Sequence, residues 1–127
     1  MNLLDENVRE DQRSQLRTWG LPIQQIGSEM GRKGMKDEEI IPLLHTLRDV
    51  TFFTRDLGFA DPKLCHPRYC LVCLDVRRDE VAIFTRRFLR HQEFATKSKR
   101  MGAVVRVSHT AVSVWRRNAP IAKHVHW

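Results

Sequence analysis

The chain has 127 residues, of which 42% are hydrophobic and 29% charged. This length and composition are typical of one globular domain with a core of ordinary size. No apolar run approaches the roughly 20 residues that a transmembrane helix requires. Acidic and basic side chains follow the first apolar residues directly, which argues against a secretory signal peptide. We therefore expect a cytoplasmic protein without a membrane partner.

The net charge is +7 and the isoelectric point is about 9.9. Such a charge indicates a polyanionic partner, because phosphate contacts supply most non-specific affinity for nucleic acids. A solvated basic surface would produce the same composition. The acidic residues are fewer than the basic ones, so their positions are the more informative.

The three cysteines, Cys65, Cys70 and Cys73, are an odd number, which argues against a disulfide framework. Cys70 and Cys73 fall in a predicted buried strand, where their spacing places them on opposite faces. This arrangement favours buried free thiols over a zinc site.

The first half of the chain predicts three strands and two helices. A strand at 3–5 precedes a helix at about 7–19, which Gly20 and Pro22 close. A second short strand at 21–26 and a glycine-rich loop at 27–34 follow. Asp37 opens the clearest helix, in which apolar residues recur at helical spacing, and Pro42 should cost it one backbone hydrogen bond. The β-branched and aromatic run 50–54 is typical of a strand buried on both faces.

The second half predicts a loop at 60–69, a buried strand at 70–76 and a helix at 79–94. Alternating strands at 103–107 and 111–115 indicate an antiparallel hairpin. Strands that alternate with helices imply a mainly parallel sheet covered on both faces, with this hairpin at its edge. We therefore expect a single α/β domain over 1–117 and a loosely ordered tail over 118–127.

Several carboxylates are expected near one edge of the sheet. Asp5 and Asp56 follow predicted strands, and parallel strands place their carboxyl ends on the same side. Asp37 and Glu38 begin a helix, where helix capping is the alternative role. Asp75 follows the next strand and is either a turn residue or a further acid of the cluster. Such a cluster repels itself unless a hard cation such as Mg²⁺ or Mn²⁺ binds between its members, and the ion could activate a water molecule.

Basic residues cluster on one predicted helix. Arg86, Arg87 and Arg90 share a face of the helix at 79–94, and further basic residues follow at 97–100. This face could contact an RNA backbone, dock an acidic protein or be solvated. No aromatic residues alternate with these bases, so we expect no stacking on nucleotide bases.

Three ordered motifs together resemble the PIN-like proteins. They are Leu-Leu-Asp-Glu-Asn at 3–7, Asp-Glu-Glu-Ile at 37–40 and Thr-Arg-Asp-Leu-Gly-Phe at 54–59. The resemblance is to the group with the motifs LLDEN, SDEEI and TRDxDF, and it runs over about residues 2–117. It implies a three-layer Rossmann-like fold of PIN type with an acidic metal pocket. Many PIN-domain relatives are ribonucleases that depend on Mg²⁺ or Mn²⁺, often toxins of toxin–antitoxin pairs.

The resemblance also assigns roles to individual residues. Asp5, Asp37 and Asp56 would be the catalytic acids and metal ligands, with Glu38 and Asp75 as further metal-ligand candidates. Asn7 and Arg55 belong to the first and third motifs and become candidates for nucleic-acid contact, together with the helix arginines. Two positions depart from the pattern: Lys36 replaces a capping Ser, and Gly58 replaces a second acid.

The sequence thus predicts a Mg²⁺- or Mn²⁺-dependent endoribonuclease, with RNA as substrate and an acidic antitoxin as a candidate partner. A non-catalytic PIN-like module that binds nucleic acid or protein is the alternative, and Gly58 favours it. A third interpretation is a subunit whose basic face serves only assembly. Whether the chain forms a homodimer is left open.

Overall fold

The computed structural model describes residues 1–119 and 121–127, which form one sheet with helices on both faces. The strands are β1 Asn2–Leu4, β2 Gln24–Gln25, β3 Val50–Thr54, β4 Tyr69–Leu74, β5 Ala103–Val107, β6 Val112–Arg116 and β7 Lys123–Val125. The helices are α1 Glu10–Thr18, α2 Asp37–Thr46, α3 Val81–Arg90 and α4 Lys97–Arg100. Short 3₁₀ turns lie at Leu57–Phe59, Pro62–Leu64 and Arg78–Glu80.

The strands lie in the order β2-β1-β3-β4-β5-β6-β7. Strands β1 to β5 are parallel, whereas β5, β6 and β7 pair antiparallel. The predicted α/β sheet, mainly parallel with an antiparallel edge, is therefore confirmed. After β1 the chain turns to β2 on one side and returns to β3 on the other. The reversal between β1 and β3 is a topological switch point, where open α/β sheets bind ligands outside the carboxyl ends of their strands.

The alternation of side chains along the strands produces two apolar layers. Leu4, Phe53 and Val72 face the side on which α1 and α3 pack. Leu3, Phe52 and Leu71 face the side covered by α2. Cys70 and Cys73 also divide between the two layers as buried free thiols, and burial raises the pKa of each to about 12. The prediction that Cys70 and Cys73 are buried free thiols on opposite faces is confirmed.

One crossover has an unusual handedness. The connections through α1 and α3 cross the same face of the sheet but in opposite directions, from β1 to β2 and from β4 to β5. They must therefore be of opposite hand, although about 98% of such connections are right-handed. The connection through α2 has the same hand as that through α1, so the α3 crossover differs in hand from both. Because of it, α1 and α3 pack side by side, with the backbone N–H of Ala82 donating to Gln12 Oε1 at 2.8 Å.

Several predicted boundaries are wrong. The strand expected at 21–26 is reduced to Gln24–Gln25, and the helix expected at 79–94 ends at Arg90, where the backbone of His91 becomes extended. The tail expected to be loose contains β7, which pairs with β6 and buries Val125. Trp127 adds a hydrogen bond from its Nε1 to the Ser108 carbonyl at 3.0 Å. Of the predicted tail, Pro120 lies outside the described residues.

Pro42 lies inside α2, as predicted from the sequence, and the helix continues for four residues beyond it. Across the ranges 1–119 and 121–127, no helix is long and apolar enough to cross a membrane.

Candidate active site

A cavity of about 470 Å³ opens at the carboxyl ends of β1 and β3, at the switch point of the sheet. Its polar lining consists of four acids, three arginines and an asparagine: Asp5, Glu6, Asp37, Asp56, Arg9, Arg55, Arg78 and Asn7. All three motifs of the PIN-like resemblance therefore supply residues to one cavity, although they are separated by up to 50 positions in the chain.

Thr54 connects two of the acids. Its hydroxyl donates to Asp5 Oδ2 at 2.6 Å and accepts a hydrogen bond from the backbone N–H of Asp56 at 3.0 Å. The backbone N–H of Asp5 extends the parallel pairing by donating to the Phe53 carbonyl. Burial raises the pKa of Asp5, whereas the hydrogen bond from Thr54 opposes that rise. Both acids are thus held at the ends of adjacent strands, as the sequence predicts.

Asp37 and Asp56 form the closest acidic pair. Asp37 is the first residue of α2, and Asp56 caps a 3₁₀ turn by accepting from the backbone N–H of Gly58 at 2.8 Å. A hydrogen bond between the two carboxyl groups raises the pKa of Asp37 to about 6. Burial and the negative charges of Asp56 and Asp5 contribute further to the rise. The raised pKa of Asp37 indicates that negative charges lie close together in the pocket.

Two of the predicted metal ligands lie outside the cavity. Glu38 is exposed on α2 and does not line it, although its charge contributes to the raised pKa of Asp37. Asp75 is exposed and forms a salt bridge with Arg106 at 2.9 Å, because it directly follows the strand that pairs with β5. The structure therefore groups Asp5, Asp37 and Asp56 and separates Glu38 and Asp75 from them.

The predicted nucleic-acid residues also divide into two groups. Asn7 and Arg55 line the acidic cavity, whereas Arg86, Arg87 and Arg90 line a separate hollow on the outer side of α3. The Arg86 guanidinium stacks on the Trp19 ring at 3.7 Å from its centroid, and that of Arg87 lies 4.4 Å from the centroid of Trp127. These two arginines therefore help to pack α3 against its neighbours.

Two guanidinium groups of the cavity rim are available to an anion. Arg55 donates through Nε to the Val76 carbonyl at 2.9 Å, which fixes its orientation. Neither Arg55 nor Arg78 forms a salt bridge with a carboxylate in the described part of the chain. Arg9, in contrast, is paired with Asp11 at 2.9 Å. The acidic pocket thus has a partly unneutralised basic rim.

Sequence reasoning missed Glu6, Gln25 and Arg78. Glu6 accepts hydrogen bonds from the backbone N–H of Gly34 at 2.9 and 3.0 Å, which ties the glycine-rich loop to the pocket wall. Gln25 is buried, and its amide lies within hydrogen-bonding distance of the carbonyls of Asp5, Glu6 and Val8. Glu6 could have been found from its place in the first motif. Nothing in the local sequence signals the roles of Gln25 and Arg78.

Within residues 1–119 and 121–127, no group of three or more His, Cys, Asp or Glu side chains is arranged to hold a metal ion. Asp5, Asp37 and Asp56 nevertheless line the same cavity. Their oxygens are of the type that Mg²⁺ and Mn²⁺ prefer.

No protein-family model, curated protein or solved structure matches the chain. The resemblance to PIN-like proteins therefore stays a prediction. Any proposed function depends on the position of the pocket and on the chemistry of the side chains within it.

Proposed function

We propose that the protein is a Mg²⁺- or Mn²⁺-dependent endoribonuclease of PIN-like type that acts at the acidic cavity. The supporting observation is the meeting of Asp5, Asp37 and Asp56 in one cavity at the switch point of the sheet. Their excess negative charge and the two guanidinium groups of the rim suit a phosphodiester that approaches a bound cation.

Asp5, Asp37 and Asp56 would hold the ion, and because they are not arranged as a metal site in this structure, their side chains would have to move toward it. When bound, the ion would lower the pKa of a coordinated water and neutralise charge on the phosphate. Thr54 holds the first and third acids in position through its two hydrogen bonds. Glu38 and Asp75 have no part in this proposal because neither lines the cavity.

Arg55, Arg78 and Asn7 would bind the phosphate oxygens, since guanidinium groups suit the geometry of phosphates. In the hydrolysis, the oxygen of water forms a bond to phosphorus and the bond from phosphorus to the leaving oxygen breaks. The leaving oxygen takes up a proton, so water is divided between the two products. An acidic antitoxin remains part of the proposal only through the PIN-like resemblance.

A non-catalytic RNA-binding module is the alternative, and one observation favours it. Asp56 caps a 3₁₀ turn and Asp37 lies in the first turn of α2. Both positions stabilise a carboxylate without any metal.

The experiment that separates the two is cleavage of a labelled RNA of mixed sequence by the purified protein in Mn²⁺, in Mg²⁺ and in EDTA. We expect metal-dependent cleavage, and a loss of at least about 100-fold in Asp5→Asn and in Asp37→Asn. Asp75→Asn and Glu38→Gln are matched controls that remove an acid outside the cavity, so they should retain activity.

RNA binding is measured in parallel, in EDTA, for every variant. Absence of cleavage under all conditions, with binding retained, would reject the nuclease and leave the binding module. A similar loss of cleavage in Asp75→Asn would reject the cavity as the active site.

A further inference from the structure

A second charged site lies at the amino ends of the parallel strands, opposite the acidic cavity at their carboxyl ends. We call these two sides of the sheet the amino edge and the carboxyl edge. A groove of about 630 Å³ opens between the segment before β4 and the end of β6. Because Arg116 pairs with Ala103, the first residue of β5, the groove lies at the amino ends of the parallel strands. The length of β4 separates it from the acidic cavity by roughly 17 Å, at about 3.3 Å per residue.

The groove carries positive charge without compensation. Lys63, His66, Arg116 and Arg117 line it, and no carboxylate does. Within 1–119 and 121–127, none of these four side chains forms a salt bridge with an acid. Asp61, which is adjacent to the groove in sequence, caps a 3₁₀ turn by accepting at Oδ1 from the backbone N–H of Lys63 at 2.9 Å.

His66 responds to this positive charge. Burial lowers its pKa, and the positive charges of His45, Arg117 and Arg68 lower it further, so the charge of the groove comes from Lys63, Arg116 and Arg117, while His66 is a neutral polar group. Uncompensated cations that converge on a concave surface raise the local concentration of anions. An anion in this groove would relieve the repulsion.

The walls of the groove are held in place by contacts that leave its cations exposed. The Cys65 thiol donates to the Trp115 carbonyl at 3.4 Å and so joins the two walls. Arg116 donates to the Lys99 carbonyl at 2.7 Å. The His66 ring stacks on Tyr69, with centroids 5.2 Å apart. Lys63 and Arg117 remain exposed.

The shape and chemistry of the groove favour a strand backbone over a base. Among the described residues that line it, the aromatic ring is that of His66, which is half-buried and already stacked on Tyr69, so no free ring is offered to a nucleotide base. Its cations instead suit phosphate groups, which contribute affinity without sequence preference. One exposed isoleucine, Ile121, is near in sequence, but a membrane surface needs a larger apolar face.

We propose that this groove is a second RNA-binding site, in which Lys63, His66, Arg116 and Arg117 contact the phosphate backbone at a distance from the acidic cavity. The proposal rests on the proposed RNA substrate but not on catalysis. It assigns to the amino edge of the sheet a role that the sequence analysis had given to α3.

The test is the affinity for a fluorescently labelled single-stranded RNA, measured by anisotropy in EDTA at several salt concentrations. The variant is Lys63→Gln with Arg117→Gln, because neither side chain supports the fold through a salt bridge among the described residues. We expect affinity to fall several-fold and the slope of log K against log salt to shrink by about 1.4, since each phosphate contact on a single strand contributes roughly 0.7.

Arg77→Gln with Arg106→Gln is the matched control. It also removes two positive charges, but at the carboxyl edge of the sheet, from arginines that are already paired with Asp79, Glu80 and Asp75. The control should retain the affinity and the salt slope more fully than the groove variant. Equal effects in the two variants would overturn the groove as a site.

Two further measurements separate the failure of this proposal from failure of the nuclease. The first is the RNA affinity of the wild type and the groove variant in EDTA, where metal-dependent cleavage cannot occur, so a loss in the groove variant is independent of whether the protein cleaves. The second is binding to anionic lipid vesicles. If the groove variant loses vesicle binding but keeps its RNA binding, the RNA site is rejected. An unchanged thermal midpoint in the groove variant shows that any loss is not due to unfolding.

Discussion

The two edges of one sheet carry opposite charge and hold it in different ways. At the carboxyl edge, three acids have defined hydrogen-bond partners: Thr54 for Asp5, the Gly34 amide for Glu6 and the Gly58 amide for Asp56. Asp5 and Glu6 are half-buried, whereas Asp56 is exposed. At the amino edge, Lys63 and Arg117 are exposed. The first edge is a constructed pocket that favours a small cation, and the second is an open surface that favours an extended anion.

This difference predicts where substitutions act. Residues of the carboxyl edge belong to the hydrogen-bond network that joins β1, β3 and the glycine-rich loop, so changes there should alter both stability and chemistry. Exposed cations of the amino edge contribute little to folding, because surface charges are screened by solvent. Three predictions test this division, from the largest expected effect to the smallest.

The largest effect is expected for Gln25→Leu. The substitution removes the amide donor of the Glu6 and Val8 carbonyls, and of the Asp5 carbonyl, which still accepts from the backbone N–H of Val8. Because unsatisfied buried polar groups cost about 1–3 kcal/mol each, the free energy of unfolding should fall by about 3 kcal/mol in urea titrations followed by circular dichroism.

Gln24→Leu is the matched control for this change. The buried Oε1 of Gln24 has no hydrogen-bond partner among the described residues, so its removal should cost less than about 1 kcal/mol. Equal losses at both positions would show that Gln25 does not organise the β1 end of the pocket.

The second prediction concerns pH and metal. The pKa of Asp37 is raised from 3.8 to about 6, so the folded protein binds a proton that the unfolded chain has released. The stability contributed by this proton is complete below about pH 3.8 and is lost as pH rises through about 6. In EDTA, the thermal midpoint should therefore decrease over this interval.

A cation that binds the same carboxylates competes with the proton. The increase in the thermal midpoint caused by Mn²⁺ should therefore be small at pH 5 and larger at pH 7.5. Asp37→Asn should lose most of this increase and its pH dependence, while Asp75→Asn should keep both. A Mn²⁺ effect that is independent of pH, or that survives in Asp37→Asn, would contradict metal binding at the pair.

The sequence predicted the carboxyl edge better than the amino edge, for a physical reason. The β-branched and aromatic run 50–54 and the valine-rich run 103–107 form strands at the predicted bounds. Parallel strands bring their carboxyl ends to one side, so Asp5 and Asp56 could be placed from spacing alone.

Other features depend on contacts that no local pattern encodes. The two-residue strand β2, the pairing of β7 and the difference in hand between the α1 and α3 crossovers depend on tertiary packing. The same is true of Arg78, which follows β4 and lines the cavity beside residues of β1 and β3. The groove at the amino edge joins segments about 50 positions apart, so its charges could not be grouped from the sequence.

The smallest expected effect concerns α3, which the sequence suggested as the RNA-binding face. Arg86 stacks on Trp19 and so joins α3 to the end of α1. Because an exposed cation–π contact contributes about 0.5–1 kcal/mol, Arg86→Gln should lower the free energy of unfolding by that amount. Arg90→Gln, at an exposed position of the same helix, should leave it unchanged.

RNA binding by the same two variants decides between the helix and the amino edge. If the groove is the RNA site, each helix variant should retain an affinity within about twofold of wild type, since only a distant charge is lost. A loss in Arg86→Gln and Arg90→Gln that exceeds the loss in Lys63→Gln with Arg117→Gln would place the RNA on α3. The amino edge would then be a solvated basic surface without a ligand, and the acidic pocket would be the one functional site of the two edges.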